Sequence, residues 1–363
     1  TSAIQELVGE RTPIGIVSGH GCPTLEQGLT SLRSVLDLYD VREVDASQEI
    51  DGSLASLLII SPQEAFTKDE LRRIDQYVMR GGSLGVLGGV FAVDLAGAAG
   101  PSARPVNSGL GDLLGAWGVT MQSQLVADAQ CSRAPMRGPF GLQVLVPYPP
   151  IPVLQLDEEQ LEHPVMFRLA SPMLPFVASL EVGEAPAGAT LTVLARSSRD
   201  SWSMSGPTIA LEPRDPQNWR MSADAGPFDL MVAIEGKLPS ALAAPVTEEG
   251  ASEIQAPPVA DHEVRVLVSG TSTFLEDSFM PPRPPQGDVQ MNAALALALN
   301  AVDWLAADSD LIAIRAKTIE EPALDIPDSV LAAEDTALAA AEEGDEAGVE
   351  SALEERKAAI ESW

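Results

Sequence analysis

Between Asp51 and Gly89 the spacing of apolar positions changes twice, and each change marks a structural element. Ala55 to Ile60 (ASLLII) is an unbroken apolar run without polar alternation, the pattern of a parallel strand buried on both faces. Ser61-Pro62 stops it. From Thr67 the period lengthens: Leu71, Ile74 and Val78 fall at i, i+3 and i+7, opposite Arg72, Arg73 and Asp75. Thr67 and Glu70 form a T-x-x-E capping box, in which each side chain satisfies a free backbone N–H of the first turn, so the helix begins at Thr67. Gly81-Gly82 ends it, because glycine tolerates the left-handed C-cap. Leu84 to Leu87 is a second buried strand. A right-handed strand–helix–strand crossover of this size predicts an α/β fold built on an open, mostly parallel sheet with helices on its faces.

The flanking pattern extends the same theme. Thr12 to Ser18 predicts a strand opening into Gly19-His20-Gly21, and Leu25, Leu29, Leu32, Val35 and Leu36 predict a helix over Thr24 to Tyr39. Val41 to Val44 reads as a strand, Val90 to Asn107 as a Gly/Ala/Pro-rich loop, Leu110 to Trp117 as a short helix and Val119 to Val126 as an alternating strand. Prolines and glycines dominate Ala134 to Pro152, which places a boundary after an N-terminal α/β domain of residues 1–133. Residues 134–327 form a second, β-rich α/β part with strands at Leu191 to Arg196, Phe228 to Glu235 and Val264 to Ser269. It contains a Pro/Glu/Ala-rich stretch from Thr247 to Asp261 that reads as a mobile loop. A second loop carries Pro281, Pro282, Pro284 and Pro285, and an apolar helix runs from Asn292 to Ala306. Residues 328–363 are an acidic, Ala/Glu-rich tail that Gly344 and Gly348 divide into a helical hairpin.

Composition narrows the function classes. The 363 residues are 45% hydrophobic but only 4% aromatic, so Leu, Val, Ile and Ala must fill the core. Against 53 acidic residues stand 22 basic ones, a net charge of -31, which repels polyanions and excludes nucleic acid as an expected partner. Thr318 to Trp363 alone holds 14 acidic and 2 basic residues. No apolar run reaches the roughly 20 residues of a membrane span; Ala293 to Ala307 is broken by Asn300 and Asp303. The chain starts at Thr1 without a signal peptide and reads as an excised soluble region of a longer protein.

Candidate chemistry is sparse. His20, His163 and His262 lie far apart, and no CxxC or Cys/His cluster exists, so no metal is expected. Cys22 and Cys131 leave two readings open: unpaired buried thiols, or one disulfide in an oxidising compartment. A Walker A sequence is absent, so no nucleotide cofactor is expected and any ATP use belongs to a partner. The small-residue run Ser269 to Thr273 lacks a neighbouring lysine, which argues against a phosphate cradle. In open α/β sheets ligands bind outside the carboxyl ends of the strands. That edge would collect Gly19, His20, Gly21, Ser61, Pro62, Gly88 and Gly89, either as a small pocket with His20 as its polar contact or as tight turns with His20 closing a loop.

Several segments together resemble the auxiliary extracytoplasmic subunit of the gliding-motility-associated, GldG-like ABC transporter family. They are GIVSGHG at Gly15 to Gly21, LLIISPQEAFTKDELRRIDQYVMRGG at Leu57 to Gly82 and LLGAWGVTMQSQLVADAQ at Leu113 to Gln130. They continue with FDLMVAIEGKLPSAL at Phe228 to Leu242, VRVLVSGTSTFLED at Val264 to Asp277 and NAVDWLAADSDLIAIRAKTIEEPAL at Asn300 to Leu324. Cys22 stands where the family usually has an acidic residue, and Glu321-Pro322 where an arginine often follows. The resemblance implies a periplasm-facing ectodomain at the inner membrane, tethered by helices this chain lacks, working with a separate permease and ATPase. Related domains in ciliary transport proteins act as scaffolds, which favours binding over catalysis.

The organising stretch also looks like class I glutamine amidotransferases, where the second strand runs into a G-x-C-x-G nucleophile elbow. Here that run is Gly85-Val86-Leu87-Gly88-Gly89, and leucine cannot attack a carbonyl. The expected function is therefore a non-catalytic accessory or binding subunit of an ABC transporter. The alternatives are a protein–protein scaffold and a degenerate amidotransferase-like hydrolase.

Overall fold

A computed structural model describes residues 11–97, 100–137, 143–215, 218–219, 224–242, 257–279 and 293–306, with two isolated positions, 351 and 357. The chain divides into two compact units, Thr1–Asp308 and Ser309–Trp363. The acidic tail and both Pro-rich loops expected from the sequence lie largely outside the described residues.

The first unit is built on a ten-stranded sheet. Its parallel half contains β1 (Thr12–Ser18), β2 (Tyr39–Asp45), β3 (Ser56–Ile60), β4 (Ser83–Leu87) and β15 (Val264–Ser269), in the order β2-β1-β3-β4-β15. Its other half is antiparallel: β14 (Asp229–Gly236) pairs with β15, and β10 (Ala178–Val182), β7 (Val119–Asp128) and β12 (Ser201–Met204) follow, while β11 (Ala189–Arg196) also pairs with β14. The sheet is mixed rather than mostly parallel. Neither does the chain part at residue 133. β15 joins β4 in parallel register, Val266 opposite Leu84 and Ser269 opposite Leu87, so late sequence completes the early half of the sheet.

Alternation along β3 explains why both faces are covered. Leu57 and Ile59 pack with Leu71, Ile74 and Val78 of α2 (Lys68–Met79) in one core. Leu58 turns the other way, toward Leu32 of α1 (Thr30–Val35) and Ala298, Val302 and Leu305 of α5 (Ala293–Leu305). Successive strand side chains point to opposite faces, so a continuous apolar run requires apolar cover on both. Helix α2 starts as its sequence dictates, with the complete Thr67/Glu70 capping box, and ends at Gly81 with φ +101°. The remaining helices, α3 (Gly111–Ala116) and α4 (Glu158–Glu162), are short.

Three sequence expectations need correction. The leucine-rich stretch from Thr24 is helical only over α1, because Gly28 takes φ +96° and the preceding residues close a turn, although Leu25, Leu29 and Leu36 are buried as the spacing implied. Val90 to Asn107 is not all loop: β5 (Phe91–Asp94) and β6 (Ser102–Pro105) pair, with β13 (Ile209–Ala210) added to β6. Four-residue strands are too short to display a period. The Pro-rich stretch from Ala134 to Pro152 supplies most of an antiparallel ribbon, β8 (Cys131–Arg137) with β9 (Gln143–Pro152). This two-stranded ribbon lies apart from the main sheet's ladder, where missing proline N–H groups are tolerated.

Candidate functional site

The carboxyl edge of the parallel strands brings the expected residues together. Gly19, His20 and Gly21 follow β1 with φ of +83°, +52° and +70°; Ser61 follows β3 with φ +47°; Gly88 and Gly89 follow β4 with φ +74° and +107°. All three strands thus leave the sheet through left-handed backbone, which glycine adopts freely and His20 and Ser61 adopt at some cost. The ladder continues one residue past the strands, Ser61 N–H donating to Leu87 O at 2.8 Å and Gly88 N–H to Ser269 O at 2.9 Å.

These residues meet each other rather than an open cleft. The carbonyl of His20 accepts from the N–H groups of both Gln63 (2.8 Å) and Glu64 (3.0 Å), fastening the β1–α1 loop to the β3–α2 loop. Its ring lies 4.0 Å from that of Phe66, and Nε2 is 3.3 Å from Glu70 Oε1. A Cβ on Gly88 would stand 3.2 Å from Ser272 Oγ, and one on Gly89 would stand 3.0 Å from Pro62 Cγ and 3.3 Å from Ser108 Oγ. What remains is a cavity of about 40 Å³ among Ser61, Gln63, Ser272, Thr273 and Glu276. That volume suits a water molecule or two, whereas small-molecule sites usually span roughly 300–1,000 Å³.

Burial pushes the Glu276 carboxyl up, the Ser272 hydroxyl partly offsets this, and neighbouring Asp277 adds to the rise. Glu70 is shifted the opposite way. Its burial favours the neutral acid, but the Thr67 N–H and hydroxyl, joined by His20, outweigh that and hold the carboxyl below its ordinary value.

In the Ser269–Thr273 run the amides of Gly270, Thr271 and Thr273 are engaged already. Gly270 N–H donates to Leu230 O, while Thr271 and Thr273 N–H donate to the hydroxyls of Ser269 and Thr271. At the elbow position Leu87 is buried within β4. Cys22 and Cys131 are both free thiols. Burial, only partly relieved by the backbone of Ile60 and of Cys22 itself, pushes Cys22 up to about 12, leaving it protonated and unreactive at neutral pH. Burial raises Cys131 as well. Among the described residues no group of three or more His, Cys, Asp and Glu side chains is placed to hold a metal ion.

Sequence reasoning found the strand ends but not the groups that fill them. Ser272 belongs to the Ser269–Thr273 run that the sequence singled out only as a phosphate cradle, and Ser108 and Glu276 carry no local motif. It also missed two larger hollows, one of about 450 Å³ at the amino ends of the strands and one of about 490 Å³ beside α3.

A mixed α/β protein whose strand ends are closed by its own loops defines the class of this molecule. The chain belongs to the family described as ABC-type uncharacterized transport system, the auxiliary component ABC_transp_aux, whose model matches residues 11–301. No curated protein matches it. Among solved structures, the mmIFT52 N-terminal domain aligns at 10% identity with a TM-score of 0.45, over 81% of this chain and 96% of that one. A ThuA-like protein from Parabacteroides merdae ATCC 43184 aligns at 10% identity with a TM-score of 0.38, over 82% and 91%. Alignments this loose say nothing of function.

Proposed function

We propose that this chain is a non-catalytic auxiliary subunit of an ABC-type transport system, acting by binding its permease or ATPase partners rather than by turning over a substrate. The family match over residues 11–301 carries this reading. The closed carboxyl edge, with leucine at the elbow and a 40 Å³ cavity, supports binding over catalysis. Among the described residues no helix is long and apolar enough to cross a membrane. Following the GldG-like resemblance, the proposal adds a membrane anchor outside these residues and a periplasm-facing position for the described unit. The GldG-like segments extend it to a motility-associated transporter.

The test is affinity purification of the tagged full-length protein from detergent-solubilised membranes of its host. An ABC permease and ATPase are expected to copurify. Recovery of the protein alone from the soluble fraction overturns the proposal.

A further inference from the structure

The groove of about 450 Å³ at the amino ends of β3, β4 and β15 is lined by three arginines, Arg73, Arg80 and Arg265, and three glutamates, Glu49, Glu235 and Glu263. Over the whole chain acidic residues outnumber basic ones by more than two to one, so an equal lining is locally rich in cations. Arg73 projects from α2 and Arg80 from its C-cap, seven residues apart and hence on one side of the helix. Arg265 enters from β15 across the groove.

The charges are only loosely committed to each other. Arg80 Nη1 lies 3.5 Å from Glu49 Oε1, and Arg265 Nε lies 3.6 Å from Glu235 Oε1, longer than the 2.7–2.9 Å typical of a strong charged hydrogen bond. The Arg80–Glu49 pair is solvent-exposed, so exchanging it for new partners costs little. Arg265 and Glu235 are half-buried, and Arg265 Nη1 is held in place by donating to Trp304 O at 2.7 Å, which leaves its Nε side toward Glu235 and the groove. Among the described residues Arg73 and Glu263 form no ion pair; Arg73 donates only a 3.3 Å hydrogen bond to Ala46 O.

A uniformly acidic occupant would face three glutamates, and a uniformly basic one three arginines. Only an occupant carrying both signs satisfies both sets, by placing carboxylates on the guanidinium groups and ammonium groups on the released glutamates. We propose that this groove docks a mixed-charge segment of a partner protein, one that presents lysine and glutamate side chains together. The inference rests on the partner-binding reading above and deepens it.

Fluorescence anisotropy with labelled decapeptides tests it on the full chain: alternating Lys-Glu, all-Lys and all-Glu. The alternating peptide is expected to bind at least about tenfold tighter than either homopolymer, and Arg80→Glu to weaken it about tenfold. Arg104→Glu, an exposed reversal on β6 in the separate three-stranded sheet, is expected to leave binding unchanged, and circular dichroism verifies that each variant folds. Tightest binding of all-Lys would mean that bulk negative charge governs and would overturn the proposal. So would no binding at all, affinity unaffected by Arg80→Glu, or self-association of the chain that Arg80→Glu abolishes, which would give the groove to a second copy. If the peptides fail while permease and ATPase still copurify, the groove assignment falls and the auxiliary-subunit reading stands.

Discussion

Glu70 divides its two carboxylate oxygens between two tasks. Oε2 accepts from the Thr67 N–H at 2.7 Å and hydroxyl at 2.8 Å, capping α2, while Oε1 faces His20 at 3.3 Å. Because its folded pKa is lowered, Glu70 contributes stability above the ordinary carboxylate range and loses it as pH falls through the folded value. His163 acts in the same direction. Burial, with Arg265 adding to it, lowers its pKa to about 4; Nδ1 accepts from Val165 N–H, and Nε2 is buried without a partner. The unfolded chain takes up a proton near pH 6.5 that the folded chain refuses until about 4, so stability declines with falling pH across that window. Urea denaturation between pH 7 and 4 is expected to show the His163 loss, with a weaker pH dependence in His163→Gln. The Glu70 contribution is lost only below its ordinary value, and Glu70→Gln is expected to weaken the pH dependence there instead. A second expectation at this scale concerns Cys22: alkylation in native protein at pH 8 is slow, and complete only after denaturation, because the thiol is buried and held neutral.

Two helices begin by opposite means. The cap of α2 is local, so Thr67→Ala is expected to cost about 1 kcal/mol, read as a lower urea midpoint at unchanged slope. The N-terminus of α1 has no side-chain cap of its own. Asp277, 247 positions away, accepts there from Thr30 N–H at 3.0 Å, Thr30 Oγ1 at 2.8 Å and Ser31 N–H at 2.8 Å. Those bonds outweigh burial and lower its pKa. Asp277→Ala is expected to destabilise the protein by about 1–2 kcal/mol in the same assay, the upper end of the range for a lost cap. Only the α2 cap could be read from neighbouring residues. A capping box occupies four positions, whereas a cap reaching from a distant loop has no sequence period.

At the scale of the molecule, the parallel half of the sheet is incomplete until β15 arrives. Residues 1–133 contain β1 to β4 but would leave the fully buried β4 with an unpaired edge, and α2 without the Ser240–Leu242 segment that Asp75 holds through Ser240 Oγ and the Ala241 N–H. A fragment of residues 1–133 is therefore expected to lack cooperative thermal unfolding and to bind a hydrophobic dye. A sharp transition in the fragment would mean that the first four strands fold alone. The same completion closes the candidate site, since Ser272 and Glu276, which occupy the carboxyl edge, follow β15 directly.

Local physics in the sequence determined the βαβ unit from Ala55 to Leu87, the capping box, the strand-end glycines and their gathering at one edge, because each depends on residues within a turn or a strand of one another. The acidic charge and the leucine at the elbow were legible too, the one arguing against polyanionic partners and the other against a nucleophile at that turn. Tertiary structure alone decided that the sheet is mixed, that the expected boundary at residue 133 does not divide it, and that the edge is filled rather than open. Strand order and loop packing arise from apolar surfaces seeking cover across long separations, and no period along the chain records which distant segment provides it.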